Sequence, residues 1–294
     1  MISGAERRAL YNLTINHHQD GKAIIDAGAF LGASTKTFLL ALRQLGFDSS
    51  SIHTYEYCKF SQYSAGFASD ALGSQHKEGE GFDELLKSLV GDREGLVKYN
   101  LGDIKNFEFS GPEISIAFID VLKGTSLLDV VYNKFFPFFT RDTILYQQDY
   151  FHPFHPWIAC SMAQHRDIFA YVGRPDPEFG AYNAAAFEVR DLSRLRSASP
   201  SRLRDATKEQ VFDWMKTAIQ MHDHSFEKLN MAGLYGSAVA LFDKNKDTSL
   251  EEFKNTLVDL GIAYLLDHPK QQHHVNRISL YITVLSNNAM RWSD

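Results

Sequence analysis

Short apolar runs alternate, along the first two thirds of this chain, with longer segments in which apolar residues recur three and four positions apart. The short runs predict strands and the longer segments predict helices. The predicted strands are residues 23–27, 51–56, 96–100, 114–120, 143–148, 169–172 and 184–189. The predicted helices between them are residues 34–45, 61–71, 82–90, 127–138 and 157–165. This alternation is typical of a mostly parallel sheet with helices on both faces.

The two ends of the chain have a different pattern. Residues 1–20 predict a short helical segment. From about residue 205 to residue 294 the apolar residues have only a helical period, which predicts helices near 208–222, 231–243, 250–266 and 274–289. The Ser- and Arg-rich run at 191–204 predicts an exposed connection, and the Gly- and Pro-bearing stretch 173–180 predicts the turn between the last two strands. We therefore predict an α/β domain over residues 21–192, followed by an all-helical extension over 205–294.

Composition narrows the class of protein and of substrate. A chain of 294 residues with 44% hydrophobic residues, 22 Phe and 13 Tyr is typical of a globular protein. Its net charge of −6, with Lys and Arg scattered, gives no field that would gather a nucleic acid. No apolar run reaches the length of a signal peptide or a membrane span, so we expect a cytoplasmic protein without membrane contact. Cys58 and Cys160 have no CxxC partner and are expected to be buried thiols.

A glycine-containing turn follows the first predicted strand, in the sequence Asp-Ala-Gly-Ala-Phe-Leu-Gly-Ala-Ser-Thr from residue 26 to residue 35. Gly28 would let the backbone approach a ligand, and Gly32 would permit close helix packing. Ser34 or Thr35 would cap the helix, whose first N–H groups would suit a carboxylate. The glycines are four apart, which is not the G-x-G-x-x-G spacing of dinucleotide sites, so nicotinamide cofactors are the weaker choice.

Acidic residues follow several of the predicted strands. Glu56 ends the second strand, Asp120 ends the fourth, and Asp149 follows the fifth. In open sheets of this type ligands bind at the carboxyl ends of the strands. The sequence therefore predicts a ligand site at that edge.

The segment Asp26-x-Gly28-x-x-x-Gly32-x-Ser34-Thr35 resembles the first motif of class I S-adenosylmethionine-dependent methyltransferases, especially those that act on the oxygen of small molecules. The resemblance implies a Rossmann-like sheet of seven strands that binds S-adenosylmethionine, with Glu56 on the ribose and the segment Leu101-Gly-Asp103 at the adenine. The donor-binding residues that it implies are Asp26, Gly28, Phe30, Gly32, Ser34, Thr35, Glu56, Asp103 and Asp120.

A second resemblance concerns metal binding. In catechol-type and sugar O-methyltransferases the fourth strand ends in Asp and the fifth in Asp-Asn or Asp-Asp, and these hold a divalent metal. Asp120 and Asp149 resemble that pair, and with Gln148 they would give oxygen ligands for Mg²⁺. This chain has Gln147-Gln148-Asp149 at the fifth strand, so its site would carry one charge less than the two-acid version.

Three residues are candidates for the catalytic base. Lys123 lies three positions after Asp120 and resembles a D-A-x-K pattern, in which a lysine helps to deprotonate the acceptor. It would need a lowered pKa to do so near neutral pH. His152 and His155 are alternatives in an aromatic, proline-stiffened loop that could equally form a wall for the substrate. Residues 118–158 also resemble a poorly characterised bacterial subgroup of methyltransferase-like proteins.

Two further patterns are discounted. The run from Asp243 to Asp247 lacks the glycine and the final glutamate of an EF-hand, and we predict instead a helix capped by a box of Ser249 and Glu252. The pairs at residues 17–18 and 273–274 are histidines without a companion at metal-ligand spacing, and they are expected to face solvent.

The sequence thus favours transfer of a methyl group from S-adenosylmethionine to an oxygen, with nitrogen as the second choice, of a small molecule such as a sugar or a phenol. Two alternatives stay open. One is a methyltransferase-like fold without activity that binds partners through its C-terminal helices, and the other is a nicotinamide oxidoreductase on the same sheet. The helical extension could also form a homodimer interface.

Overall fold

The computed structural model describes residues 2–174, 183–197, 203–288 and 292. Its strands are β1 Ala23–Ala27, β2 Ser51–Glu56, β3 Val97–Leu101, β4 Ile114–Ile119, β5 Phe139–Gln147, β6 Phe169–Gly173 and β7 Ala185–Val189. Its helices are α1 Gly4–His17, α2 Ala33–Leu45, α3 Gln62–Leu72, α4 Asp83–Val90, α5 Ser126–Phe135, α6 Pro156–Gln164, α7 Leu192–Ser197, α8 Lys208–Gln220, α9 Ser225–Asp243, α10 Lys246–Asp259 and α11 Gln272–Asn287. Short 3₁₀ helices cover Ile104–Asn106, Phe136–Phe138 and Ala263–Leu266.

The strands form one sheet in the order β3-β2-β1-β4-β5-β7-β6. β1 pairs in parallel with β2 and β4, and β2 pairs in parallel with β3, whereas β6 and β7 are antiparallel. Every residue of β1 and β4 is buried, which explains why these strands are continuous apolar runs rather than alternating ones. The predicted α/β fold of seven mostly parallel strands with C-terminal helices is confirmed.

Contact density groups the described residues into two units, which differ from the predicted boundary near residue 192. The first unit consists of the described parts of Met1–Val121 and of Phe138–Tyr146. The second consists of Leu122–Pro137, Gln147–Arg174 and the described parts of Tyr182–Asp294. In the first unit Phe118 of β4 is fully buried between Phe38 of α2 and Tyr146 of β5, with ring centroids 6.3 and 5.3 Å away.

The residue that follows α1 ties this helix to the sheet. His18 is buried, with Nδ1 2.5 Å from Ser115 Oγ and Nε2 2.8 Å from Ser50 Oγ. Burial lowers the pKa of His18 to about 4, so the ring is neutral at physiological pH. The expectation that this histidine faces solvent is therefore wrong. Hydroxyl groups near the starts of β2 and β4 need a buried partner, and the ring supplies it.

The helices of the second unit pack around α9, which is buried on nearly all sides. Two glycines permit this packing against α10 and α11. A Cβ atom at Gly233 would lie 2.7 Å from Ile278 Cγ2, and one at Gly236 would lie 2.8 Å from Ile282 Cδ1 and 3.0 Å from Phe253 Cβ. Among the residues described, no helix has the length and apolar character needed to cross a membrane.

Three predictions for the C-terminal half need correction. Helix α10 begins at Lys246 with Asn245 as its cap, while Ser249 lies inside the helix and donates to the Asn245 carbonyl, so the predicted capping box is wrong. The same helix ends at Asp259 rather than at residue 266 because Gly261 takes a left-handed φ of 67°. His274 is half-buried and lies 2.7 Å from Asn230 Oδ1, so it does not simply face solvent.

The connection predicted at 191–204 begins with a helix. Asp191 Oδ1 accepts the N–H groups of Ser193 and Arg194 at the start of α7. Residues 198–202, and residues 175–180 of the predicted turn, lie outside the described part of the chain.

We expect Gly236→Ala to lower the free energy of unfolding by about 1–2 kcal/mol, because overlap with α10 and α11 outweighs the better helix propensity of alanine. Gly66→Ala is the matched control, since Gly66 lies in α3 with open space around its Cβ position. It should raise that free energy by up to about 1 kcal/mol. Calorimetric unfolding of both variants measures the difference. Equal effects at both positions would contradict this account of the helix packing.

Candidate functional site

The turn after β1 is shaped by its glycines. Gly28 has a φ of +96°, and a Cβ atom there would lie 2.8 Å from the Asp120 carbonyl oxygen. The backbone that approaches this glycine is thus the end of β4, and the approach of a ligand to Gly28 stays a prediction. Gly32 has a φ of +82°, and a Cβ atom there would overlap Val90 and Leu86 of α4. Its predicted part in close helix packing is confirmed.

Beneath this turn lies a fully buried carboxyl group. The Oγ of Ser34 lies 2.9 Å from both carboxyl oxygens of Asp26, and Thr35 Oγ1 lies 2.5 Å from one of them. Burial raises the pKa of Asp26 to about 7, although the two hydroxyl groups act to lower it. Because the side chain is not exposed, any part of Asp26 in ligand binding is indirect, through the turn that it holds.

These hydrogen bonds change how α2 begins. Ser34 and Thr35 donate to Asp26 and therefore do not cap the helix, contrary to the prediction. The helix begins at Ala33, after Gly32 in a left-handed conformation, and no side chain caps it. Its first intrahelical bond runs from Lys36 N to the Gly32 carbonyl. The three preceding N–H groups are donors that this end of the helix can offer to a ligand carboxylate.

Glu56 joins the end of β2 to the same turn. Its Oε2 accepts the N–H of Phe30 at 2.6 Å, and its Oε1 accepts that of Cys58 at 3.3 Å. Burial raises the pKa of Glu56, and these backbone hydrogen bonds oppose that effect. Since each carboxylate oxygen has two lone pairs, the group can accept further hydrogen bonds from a ligand.

Phe30 holds an uncommon backbone conformation, with a φ of 49°. Its ring packs edge-on against Phe60 and Phe82, with centroids 6.1 and 5.5 Å away. A positive φ is costly for a residue with a large side chain, so these contacts and the bond to Glu56 hold the turn in place. No feature of the sequence indicated this strain.

The end of β3 belongs to the same edge of the first unit. Gly102 N donates to the Glu56 carbonyl at 2.8 Å. The next residue, Asp103, is half-buried and accepts the N–H of Lys105 at 3.0 Å, which starts the 3₁₀ helix Ile104–Asn106. The predicted donor-binding residues from Asp26 to Asp120 thus lie at the carboxyl ends of β1 to β4 or at the start of α2, which follows β1.

A separate cluster in the second unit contains the predicted base candidates. Asp149 forms an ion pair with Lys123, and its Oδ2 lies 3.4 Å from His155 Nδ1. Asp149 has a left-handed φ of 60°, a conformation that Asp tolerates better than most residues. Burial acts to raise the pKa of Asp149, but the nearby His155 imidazole and the charge of Lys123 outweigh it, and the pKa is lowered.

This cluster does not fit the predicted magnesium site. The Asp149 carboxylate faces the ammonium group of Lys123, and a dication would compete with that cation for the same oxygen. Within the described ranges no group of three His, Cys, Asp or Glu side chains could hold a metal ion. Gln148, another predicted ligand, is buried. No step of the proposed chemistry therefore uses a metal.

The two histidines of the loop differ in their surroundings. His152 Nδ1 accepts the N–H of Phe154 at 3.3 Å, and burial lowers the pKa of His152 to about 4. Its ring stacks on that of His155, with centroids 5.1 Å apart, and lies 5.4 Å from the ring of Tyr281 in α11. Sequence reasoning missed Tyr281, because nothing in a helical stripe indicates which loop it contacts.

We expect the raised pKa of the buried Asp26 to make the free energy of unfolding depend on pH. Its pKa of about 7 in the fold lies above its ordinary value of 3.8, so the folded state binds the proton of Asp26 more tightly. The stability that this contributes is complete below about pH 4 and is lost as the pH rises through about 7, by roughly 4 kcal/mol in total.

Asp26→Asn should remove that loss, whereas Asp70→Asn, at an exposed position of α3, should leave it unchanged. Denaturant unfolding of the three proteins across this pH range is the measurement. A parallel pH dependence of Asp26→Asn and the unaltered chain would contradict the raised pKa.

No family model and no curated protein matches this sequence. Several solved O-methyltransferases are similar in structure. The O-methyltransferase NovP is 10% identical over 63% of this chain and 78% of its own, with a TM-score of 0.47. The TDP-rhamnose 3'-O-methyltransferase CalS11 is 16% identical over 63% and 78%, with a TM-score of 0.44. TomG from Streptomyces achromogenes is 14% identical over 64% and 81%, with a TM-score of 0.40. These overlaps are partial, so the fold class rests on the order of the strands in this chain.

Proposed function

We propose that this chain transfers a methyl group from S-adenosylmethionine to an oxygen of a small molecule such as a sugar or a phenol. The observation that carries the proposal is the Glu56 carboxylate at the end of β2, bonded to the N–H of Phe30 in the glycine-containing turn. A half-buried carboxylate with lone pairs still available suits the two hydroxyls of a ribose.

The neighbouring groups of the first unit suit the rest of such a donor. The uncapped start of α2 offers N–H groups for the carboxylate of a methionine moiety. Asp103, after β3, has the position that the family resemblance gives to the adenine contact. When bound, S-adenosylmethionine supplies a methyl group already activated on a sulfonium. The protein then has to align the reactants and to remove the proton of the acceptor.

Among the three candidates, His155 is the base that the geometry favours. Lys123 is paired with Asp149, which stabilises its charged form, and a charged ammonium cannot accept a proton. His152 has a pKa of about 4, so it is a weak base. His155 presents Nδ1 to Asp149, which leaves Nε2 to accept the proton of the acceptor hydroxyl. The Asp149 carboxylate then balances the charge of the imidazolium.

Titration calorimetry with S-adenosylmethionine and S-adenosylhomocysteine tests the donor site. We expect saturable binding of both, and about 10- to 100-fold weaker binding in Glu56→Gln, because hydrogen bonds to a charged acceptor are lost. Glu94→Gln is the control, since Glu94 belongs to the same unit and pairs with Arg43 at an exposed position.

Absence of binding to both ligands would remove the proposal and favour a binding module without catalysis. Displacement of the ligands by a nicotinamide dinucleotide would instead favour an oxidoreductase.

Magnesium is expected to have no effect on this protein. Titration of the unaltered chain with MgCl₂ should give no saturable heat, because Lys123 already neutralises Asp149. Lys123→Ala should allow weak binding that is lost when Asp149→Asn is added. Saturable binding to the unaltered chain that Asp149→Asn abolishes would restore the metal site predicted from the sequence.

A further inference from the structure

A buried chain of polar groups connects the loop after β5 with the C-terminal helices of the second unit. Tyr150, the residue after Asp149, is not exposed, and its hydroxyl lies 3.1 Å from Nε2 of His222. His222 follows the end of α8 and is 1% exposed. Its Nδ1 lies 3.2 Å from Oε2 of Glu227, in the first turn of α9.

The far end of this chain is a charged carboxylate. The hydroxyl of Tyr171, in β6, donates to Glu227 Oε1 at 2.8 Å, and Arg174 Nε lies 3.3 Å from the same oxygen. Burial acts to raise the pKa of Glu227, but the hydrogen bonds from His222 and Tyr171 outweigh it, and the pKa is lowered. An ionised Glu227 can only accept hydrogen bonds. His222 therefore carries a proton on Nδ1, and in the neutral ring Nε2 is the acceptor for the Tyr150 hydroxyl group.

Aromatic rings enclose the imidazole at the centre of the chain. The rings of Tyr150, Phe151 and Tyr171 lie 5.7, 5.2 and 4.4 Å from that of His222. An ionised carboxylate such as that of Glu227, buried beside these rings, adds little net stability compared with apolar side chains of the same size. The hydrogen bonds instead fix the orientation of these side chains, because each bond joins one donor to one acceptor.

From this geometry we infer that Glu227 and His222 are positioning residues for the base. Through the Tyr150 hydroxyl they fix the loop at the residue next to Asp149, so that the Asp149 carboxylate faces Nδ1 of His155. Tyr281 of α11 holds the other side of the loop, with its ring 4.7 Å from that of Phe154. The role of His155 as base rests on the proposed function, whereas the positioning is a property of the structure alone.

The protonation site of His155 reports this positioning directly. In ¹⁵N-labelled protein near neutral pH, long-range ¹H–¹⁵N spectra should show the proton of His155 on Nδ1 in the unaltered chain. Tyr150→Phe and Glu227→Gln should give a mixture of both tautomers, because Asp149 is no longer held toward the ring. Tyr132→Phe is the control, since it removes an equally buried hydroxyl of the same unit, bonded to Ser161 rather than to this chain.

The inference is overturned if His155 keeps one tautomer in both variants, if Tyr132→Phe mixes the tautomers equally, or if the unaltered chain carries its proton on Nε2. Tyr171→Phe is the milder variant to use if Tyr150→Phe and Glu227→Gln do not fold. It removes only one donor to Glu227, so it should change the tautomer ratio of His155 by a smaller amount. An unchanged tautomer in that variant would then count against the inference. Calorimetric binding of S-adenosylhomocysteine, measured on the same samples, separates this result from a failure of the proposed function.

Discussion

The buried carboxyl of Asp26 is the constraint on which the site of the first unit depends. It lies in β1 with no exposure, and the hydroxyls of Ser34 and Thr35 must turn inward to satisfy it. Those side chains can then no longer cap α2, so the helix starts with N–H groups that no side chain occupies. A group that stabilises the turn thus also leaves donors for a ligand.

Two acidic side chains, Glu56 of the first unit and Asp149 of the second, have pKa values shifted in opposite directions. In the first unit, burial raises the pKa of Glu56, whose hydrogen bonds come from backbone N–H groups. In the second, His155 and Lys123 lower the pKa of Asp149. The first setting suits the recognition of neutral hydroxyl groups, and the second suits an acid that orients and balances a base. The neighbours of these two carboxylates therefore suit them to different roles.

The C-terminal helices have a structural part in this arrangement. Glycines of α9 let α10 and α11 pack closely, and Glu227 at the start of α9 reaches the loop after β5 through His222. A homodimer through these helices stays a prediction from their apolar stripes. Their contacts within the second unit already account for the burial of α9.

The sequence by itself determined the fold class and the edge of the sheet that carries the acidic groups, because apolar periodicity and strand-end residues are local features. It indicated the helix-packing role of Gly32 correctly, whereas the part of Glu56 in ligand binding stays a prediction. Only the tertiary structure decided which groups meet: Ser34 and Thr35 with Asp26, Lys123 with Asp149, and His18 with two serines of the sheet. Such pairings join residues up to 97 positions apart, and their partners depend on burial and charge that no local pattern records.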